Sequence, residues 1–436
     1  MPFMVATWNV RTLIDNDNVL RRRTALVAHE LKRYNIDICA LSETRFHGED
    51  SIEEASEGYT FFWKGLSPET RRIHGVGFAV KTSLLKNMQE MPTGINERLM
   101  TWRIPLAKGH HATLISAYAP TLDSDNDTKE SFYDLLDNTL RRIPRKDKIL
   151  LLGDFNARVG TDHNTWKGVL GRHGTGKCNS NGVRLLTLCA QHNLLITNSI
   201  FQLKDKHKTS WKHPRSSKWH LLDYVITRQA DQEDILITRA LRGAECSTDH
   251  QLIRSKVRLN LRPPVRRTKP ARTLNCQALS DQTTKNQLRQ NLAARFNNIP
   301  SDSASIELSW STFKTTVRQA AEETLGFKVK KHQDWFANNT EEITDLIEQK
   351  KKAHDAYLKH PQSETLKQRF QTLRRSVQQR LRELENTWWI EKAAEIQGYA
   401  DSNNSHRFYD AIHLRSAKKE PCSCQRDRWH TTKRQQ

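Results

Sequence analysis

The segment KILLLGDFNA (residues 148–157) joins an unbroken apolar run to two polar side chains, and it is the clearest structural signal in the chain. A continuous apolar run of this length predicts a strand that is buried on both faces, as in a sheet covered by helices. Asp154 and Asn156 follow the run directly. Active sites in α/β proteins collect at strand ends, where the loops diverge. The segment therefore predicts a central strand at residues 148–154 that delivers Asp154 and Asn156 to a functional site.

Further apolar segments on both sides predict a layered α/β domain. The remaining predicted strands are residues 3–10, 36–43, 75–80, 112–120, 194–200, 221–227, 235–241 and 250–261. Helical patterns lie between strands at residues 19–33, 129–142 and 182–192. Strands that alternate with amphipathic helices favour sheets flanked by helices, which gives a first domain over residues 1–260.

The chain changes character near residue 261. The basic, proline-containing segment LRPPVRRTKPAR (261–272) is typical of a linker, here taken as residues 261–275, and it also has the composition of a nuclear import signal. Residues 276–415 are predicted to be helical. A helix at 340–358 and a long amphipathic helix with apolar residues from 366 to 388 are expected to form an antiparallel hairpin. Residues 416–436 fit no pattern and are predicted to be a disordered tail.

Composition points to a polyanionic partner. The 436 residues include 70 Lys and Arg against 49 Asp and Glu, a formal charge of +21. Such an excess favours nucleic acid, although a merely solvated basic surface is the other interpretation. No apolar run is long enough to span a membrane. The start of the sequence lacks signal-peptide features, and the seven cysteines form no CxxC pair, which together predict a nuclear or cytoplasmic protein with reduced thiols.

Polar residues recur where predicted strands end or begin. They are Asn9, Glu43, Tyr118, Asp154, Asn156, Asp223, Asp249 and His250. Carboxylate and amide oxygens suit a hard cation such as Mg²⁺, which needs only one or two carboxylates because it keeps several waters. His250 can exchange a proton near neutral pH, and Asp249 or Asp223 could fix its tautomer. The pattern predicts a metal-assisted site for phosphate chemistry.

Several short segments resemble, in order, the signature segments of the endonuclease/exonuclease/phosphatase superfamily. They are TWNVRT (7–12), LSET (41–44), SAYAP (116–120), GDFNA (153–157), KTSW (208–211), LLDYVIT (221–227) and STDH (247–250). Residues 171–201 further resemble the apurinic-type endonuclease domain of RTE-type non-LTR retrotransposons and the craniofacial development protein-like proteins derived from them. Segments 334–343 and 408–412 resemble the helical connector of those elements.

This resemblance implies a fold, an activity and a set of residue roles. The fold would be a four-layer α/β sandwich, two packed sheets flanked by helices, followed by an all-α C-terminal region. The activity would be Mg²⁺-dependent nicking of DNA to leave a 3′-hydroxyl, with Mn²⁺ able to substitute. The implied catalytic residues are Tyr118, Asp154, Asn156, Asp223 and His250, and the implied metal-site residues are Asn9, Glu43 and Asp249. Which carboxylate acts as the base stays open.

DNA contacts are expected from both the resemblance and the residue pattern. Basic and aromatic residues alternate through KDKHKTSWKHPRSSKWH (204–220), a composition that can follow a phosphate backbone and stack on bases. The predicted DNA-binding residues are Arg11, Ser210, Trp211, Lys212 and Trp219. The arginines of the long C-terminal helix offer a basic face for RNA, or simply a solvated surface.

Two other functions remain open from the sequence. The superfamily also includes phosphatases and phosphodiesterases that act on small molecules or lipids. A protein that binds DNA or chromatin without cleaving it would need only the basic surface.

Overall fold

The structure is a computed structural model that describes residues 2–14, 22–86, 88, 90–261, 274, 278–279, 281–296, 306–326, 335–402 and 404–413. The predicted tail (416–436) and all but two residues of the predicted linker (261–275) lie outside the described residues.

Fifteen strands and ten α-helices are formed by the described residues. The strands are β1 (Phe3–Asn9), β2 (Ile38–Ser42), β3 (Glu49–Glu54), β4 (Tyr59–Lys64), β5 (Val76–Lys81), β6 (Thr93–Asn96), β7 (Leu99–Pro105), β8 (His111–Tyr118), β9 (Lys148–Asp154), β10 (Leu194–Ile196), β11 (Trp211–Lys212), β12 (Trp219–His220), β13 (Asp223–Arg228), β14 (Ile235–Leu241) and β15 (Leu252–Val257). The helices are α1 (Arg23–Arg33), α2 (Thr82–Leu85), α3 (Asn126–Arg142), α4 (Ser180–Gln191), α5 (Gln282–Phe296), α6 (Ile306–Leu325), α7 (Trp335–Asn338), α8 (Thr340–Lys359), α9 (Glu364–Asp401) and α10 (Ser405–His413).

The strands form two large sheets and one short hairpin. The first sheet has the order β14-β15-β1-β2-β5-β4-β3, and the second has the order β10-β13-β9-β8-β7-β6. Only the β1–β2 and β8–β9 pairs are parallel, while the other pairs are antiparallel. Strands β11 and β12 form a two-stranded hairpin, and Trp211 of β11 also forms an isolated antiparallel bridge with His250.

The two sheets pack face to face, and helices cover their outer faces. Side chains alternate along β9, so that Leu150 and Leu152 enter the core between the sheets while Ile149 and Leu151 pack under α3 and α4. Strand β1 divides in the same way, with Val5 between the sheets and Trp8 in the core shared with α1. The predicted four-layer α/β sandwich with a helical C-terminal region is therefore confirmed.

Six of the described strands were not predicted from the sequence. Strand β3 has the sequence EDSIEE and exposes its first five residues, because it lies at the edge of the first sheet. Strands β4, β6, β7, β11 and β12 were likewise not predicted. The predicted strand at 194–200 ends at Ile196, after which residues 197–199 form a 3₁₀ turn. There the Asn198 side chain bonds the backbone of β13, which replaces ladder hydrogen bonds.

The predicted helical hairpin is present, and the chain divides into two compact units. One unit comprises Met1–Arg262 and Asp334–Gln436, and the other comprises Pro263–Gln333. Helices α8 and α9 pack together as predicted, and α9 continues to Asp401. Their apolar faces meet α1, where Leu26 packs with Ile347 and Leu381, and this contact joins the hairpin to the sandwich.

Within the part of the chain that the structure describes, no helix is both long and apolar enough to span a lipid bilayer.

Candidate active site

Sheet topology brings the predicted site residues to one edge of the sandwich. Because β1 and β2 are parallel, Asn9 at the end of β1 lies beside the end of β2, which Glu43 follows. The parallel pair β8–β9 places Tyr118 opposite Asp154, and antiparallel β13 places Asp223 opposite the same residue. Residues that are far apart in sequence thus meet where the two sheets adjoin.

Close strand packing at this edge requires Gly153. A Cβ atom at this position would lie 1.9 Å from the carbonyl oxygen of Ala117 on β8. The glycine therefore lets β9 pair with β8 in the register that sets Asp154 beside Tyr118.

Asn9 connects the two sheets through its side-chain amide. Its Nδ2 donates hydrogen bonds to Glu43 Oε1 and to Asp154 Oδ2, each at 2.9 Å. Its Oδ1 accepts from the backbone N–H of Arg11. Asn9 therefore separates the two carboxylates with a donor group, and its role as a metal-site residue stays a prediction.

Glu43 is held by two further donors. The Tyr118 hydroxyl donates to Oε1 at 3.2 Å, and the Arg45 guanidinium contacts Oε2 at 2.7 Å. Tyr118 itself packs against Arg98, whose guanidinium lies 5.5 Å from the ring centroid and donates to the Tyr118 carbonyl. Burial and the charge of Glu43 raise the pKa of Tyr118 well above its usual value, so the hydroxyl keeps its proton and acts as a donor.

His250 lies between two buried aspartates. Its Nδ1 is 2.8 Å from Asp223 Oδ2, and its Nε2 is 3.9 Å from Asp154 Oδ2. Suitable ligand atoms of the three residues all lie within 4.8 Å of one another. The contact with Asp223 fixes the orientation of the imidazole ring and leaves Nε2 directed toward Asp154.

The charges of this cluster shift two pKa values in the same direction. Burial and the negative charge of Asp223 raise the pKa of Asp154 to about 7, although His250 opposes the change. Burial alone would lower the pKa of His250, but the carboxylates of Asp223 and Asp154 outweigh it and raise the pKa to about 10. At neutral pH, His250 is therefore a cation paired with Asp223, and Asp154 holds a proton more tightly than an exposed aspartate does.

These residues surround a cavity of about 610 Å³. The site residues predicted from the sequence that line it are Arg11, Glu43, Tyr118, Asp154, Asn156, Trp211, Asp249 and His250. Asp223 is fully buried behind His250 and does not line the cavity. Asp249 accepts a hydrogen bond from the Trp211 indole at 3.0 Å and belongs to the wall of the cavity, apart from the Asp154–Asp223–His250 cluster.

The donor set at the cavity fits a hard divalent cation. Glu43 and Asp154 offer carboxylate oxygens that contact one common nitrogen, and Asp223 has a buried Oδ1 without a hydrogen-bond partner. Oxygen donors of this kind suit Mg²⁺ or Mn²⁺. Glu43 and Asp154 are therefore the residues best placed to hold such an ion.

The predicted DNA-contact residues occupy three different environments. Arg11 and Trp211 line the cavity, whereas Lys212 and Trp219 pair on the exposed β11–β12 hairpin. Ser210 is completely buried, so it offers no surface to DNA in this structure. Its hydroxyl accepts hydrogen bonds from two backbone N–H groups, including that of Asp223, and thereby fixes the start of β13.

Several cavity residues were not singled out in the sequence. Arg158, Asn179, His213 and His220 contribute to the cavity wall. Both histidines belong to the basic segment 204–220. The sequence associated this segment with DNA contacts, but it did not indicate these two positions. Arg98 had no sequence signal, because its role depends on β7 pairing beside Tyr118.

The predicted basic face of α9 is partly occupied by contacts within the chain. Arg380 forms ion pairs with Glu342 and Glu383, and Arg374 lies 3.9 Å from Glu245. RNA binding through this face stays a prediction.

The sequence of residues 6–255 matches the profile of the Endonuclease/Exonuclease/phosphatase family. The chain belongs to this family. Membership agrees with the resemblance seen in the short signature segments, and it supports a nuclease- or phosphodiesterase-type function.

Individual relatives are similar to most of this chain but cover it with only part of their own length. The chain is 29% identical over 308 residues to Craniofacial development protein 2 of Bos taurus, which covers 70% of this chain and 49% of the relative. It is 29% identical over 276 residues to the protein of the same name from Tragulus javanicus, covering 63% and 45%. The chain thus spans about half the length of these curated relatives.

Among solved structures, the chain is similar to the AP endonuclease LMAP from Leishmania major. The sequence identity is 14% and the TM-score is 0.45, with 59% of this chain and 87% of that chain covered.

Proposed function

We propose that the protein is a divalent-metal-dependent DNA endonuclease that nicks a phosphodiester bond and leaves a 3′-hydroxyl. The observation that carries this proposal is the single network in which Asn9 links Glu43 to Asp154, with His250 and Asp223 beside them. Phosphodiester hydrolysis needs a positioned water, donors directed at the phosphate and charge compensation, and this network contains groups suited to each task.

A divalent cation, Mg²⁺ or Mn²⁺, would be held by Glu43 and Asp154 and would compensate charge on the phosphate. The protein's own donors supply the rest of that compensation. The protonated His250 would donate from Nε2 to a phosphate oxygen while Asp223 holds Nδ1. The Tyr118 hydroxyl would donate to the same phosphate.

Asp154 is the group best suited to take a proton from the attacking water. Its carboxylate lines the cavity beside the proposed metal position, so it can accept a proton from a water held there. The backbone N–H of Asn156 donates to Asp154 Oδ1 at 2.9 Å, and the Asn156 amide donates to the Ala119 carbonyl. Asn156 would therefore hold the carboxylate in one orientation.

DNA is the proposed substrate because of the charge around the cavity. Arg11 and Arg158 line it, and the exposed β11–β12 hairpin beside it carries Lys212 and Trp219. Guanidinium groups suit phosphate oxygens, and an exposed indole can stack on a base. A formal charge of +21 for the whole chain agrees with a polyanionic substrate.

The test is nicking of supercoiled plasmid by the purified full chain in Mg²⁺. Asp154→Asn and His250→Ala should each lower the nicking rate by at least about 100-fold, because each removes a group that acts on the reacting atoms. The nicked product should be extended by a DNA polymerase without prior phosphatase treatment, since the proposed end is a 3′-hydroxyl.

Matched controls come from residues of the same type outside the site. His110 is exposed at the turn before β8, at the opposite end of that strand from Tyr118, and Asp50 is exposed on β3. His110→Ala and Asp50→Asn should nick at the wild-type rate. Wild-type nicking by both site variants would refute the site assignment. Turnover of a small phosphoester without DNA cleavage would indicate a phosphatase instead, and DNA binding without cleavage in any divalent ion would indicate a non-catalytic DNA-binding protein.

A further inference from the structure

The loop that carries His250 is anchored by the helical region and not only by the sandwich. This loop, residues 242–251, joins β14 to β15. Near the site, the Thr248 hydroxyl donates to the Asn9 carbonyl at 2.7 Å and accepts from the backbone N–H of His250. Its opposite end lies against α1, where the Arg33 guanidinium donates to the Gly243 carbonyl at 2.6 Å.

Glu245 is the residue through which this loop meets the helical hairpin. Its Oε1 accepts from the backbone N–H of Ser247 at 2.8 Å, which links the carboxylate to the turn just before Thr248. Its Oε2 accepts from the ammonium of Lys350 on α8 at 2.6 Å. The side chains of Glu245 and Lys350 are 13% and 7% exposed, so this ion pair is largely removed from water.

Two cations compensate the burial of the Glu245 carboxylate. Removing two charges from water costs several kcal/mol per ion, and the attraction between them returns that cost only when the geometry is good. Arg374 on α9 adds a second positive charge 3.9 Å from Glu245 Oε1. Both helices of the hairpin therefore direct a cation at one carboxylate of the loop.

The helical hairpin is itself held in place by packing against α1. Apolar side chains of α7, α8 and α9 pack on Ala25 and Leu26 of α1. Helix α1 also supplies Glu30, which accepts from the backbone N–H of Glu245. The hairpin, α1 and the loop are thus joined by apolar packing at one place and by charge at another.

We propose that Lys350 is a positioning residue for His250, and that the α8–α9 hairpin sets the loop at residues 243–250 through the Lys350–Glu245 ion pair. This inference rests on the proposed nuclease function for its kinetic consequence, but not for its structural one. Lys350 acts through Glu245, Ser247 and Thr248 and touches none of the reacting groups.

The kinetic test compares Lys350→Met with Lys350→Arg in the full chain. A displaced catalytic group lowers turnover more than substrate binding, so Lys350→Met should reduce kcat for plasmid nicking by about 10- to 100-fold and change KM by less than about 3-fold. Lys350→Arg keeps the charge and should restore kcat to within about 3-fold of wild type. Lys352→Met is the matched control, because Lys352 lies on the same helix with its side chain 75% exposed.

The structural test needs no activity. Hydrogen–deuterium exchange of the amides at 243–250 should accelerate in Lys350→Met, and should stay at the wild-type rate in Lys350→Arg and Lys352→Met. Arg374→Gln, a milder change at the same carboxylate, should give a smaller acceleration, which provides a second variant if Lys350→Met does not fold.

The two tests separate the two proposals. If the wild-type chain does not nick DNA, the proposed function fails, while faster exchange in Lys350→Met would still support the positioning role. If the wild-type chain nicks DNA and Lys350→Met has wild-type kcat or wild-type exchange at 243–250, the positioning role is refuted. Equal loss of kcat in Lys350→Met and Lys350→Arg would refute the role of the charge.

Discussion

At the scale of single residues, the identity of Asn9 matters as much as its position. Its amide nitrogen contacts a carboxylate oxygen of Glu43 and one of Asp154, so a donor group lies where two negative charges approach each other. An aspartate here would bring a third carboxylate to a place where burial and Asp223 already raise the pKa of Asp154. Asparagine therefore places a hydrogen-bond donor, and no third negative charge, between the two acids.

The proton on His250 gives a prediction at the same scale. In the metal-free protein, the imidazole should titrate near pH 10, because the charges of Asp223 and Asp154 outweigh the effect of burial. Asp223→Asn removes the nearer charge and should move the titration to lower pH. The measurement is the pH dependence of the His250 ring signals by NMR, with the exposed His110 as an internal reference.

The raised pKa of His250 also determines how the stability of the protein changes with pH. The folded pKa of about 10 lies above the ordinary value of 6.5, so the contribution of His250 to stability is complete below about pH 6.5 and is lost as the pH rises toward 10. A His250 titration near 6.5 that Asp223→Asn does not change would contradict the ion pair.

The sequence identified the site residues at this edge of the sandwich, but it did not predict all of their contacts. Glu43, Asp154 and His250 stood out because each adjoins an apolar run and belongs to a segment that resembles the family. Nothing local indicated that Arg98 would lie under Tyr118, or that Ser210 would be buried beneath Asp223. Those contacts depend on strand pairing across the sheet, which one sequence does not specify.

At the scale of elements, strands were predictable where burial on both faces left a continuous apolar run. The strands predicted at residues 148–154 and 235–241 have the same bounds as β9 and β14. Edge strands such as β3 escape this logic, since solvent on one side permits charged residues there. The long helix α9 was found because its apolar residues keep a helical period, although its docking on α1 was not expected.

Packing of α9 on α1 gives a prediction with a built-in control. Leu381 is fully buried beside Leu26, whereas Ile390 on the same helix is 71% exposed. Leu381→Ala should lower the free energy of unfolding by about 2–4 kcal/mol, because it leaves a cavity in the interface. Ile390→Ala should change the free energy of unfolding by less than about 0.5 kcal/mol. Urea unfolding of the full chain, followed by tryptophan fluorescence, measures both, and equal effects would mean that the hairpin is not packed as described.

At the scale of the whole molecule, charge and architecture point to the same partner. The net charge of +21 acts over a Debye length of roughly 8–10 Å at ordinary ionic strength, which draws a polyanion toward the surface without selecting a bond to cut. The bond to be cut would be selected at the cavity, where Arg11 and Arg158 lie beside the carboxylates. Attraction and cleavage therefore depend on different residues, and they can be separated by experiment.

The salt dependence of DNA binding can be measured separately from cleavage. If DNA is held mainly through its phosphates, log K for binding should fall linearly with log salt, with a slope of about −0.9 per phosphate neutralised. Arg11→Gln and Arg158→Gln should each make the slope shallower by about 0.9, because each removes one cavity-lining cation. Arg141→Gln is the matched control, since Arg141 is 71% exposed near the end of α3 and lies outside the cavity lining. Fluorescence anisotropy with a duplex of fixed length in EDTA measures these slopes without cleavage, and identical slopes for all three variants would show that the DNA does not enter this cavity.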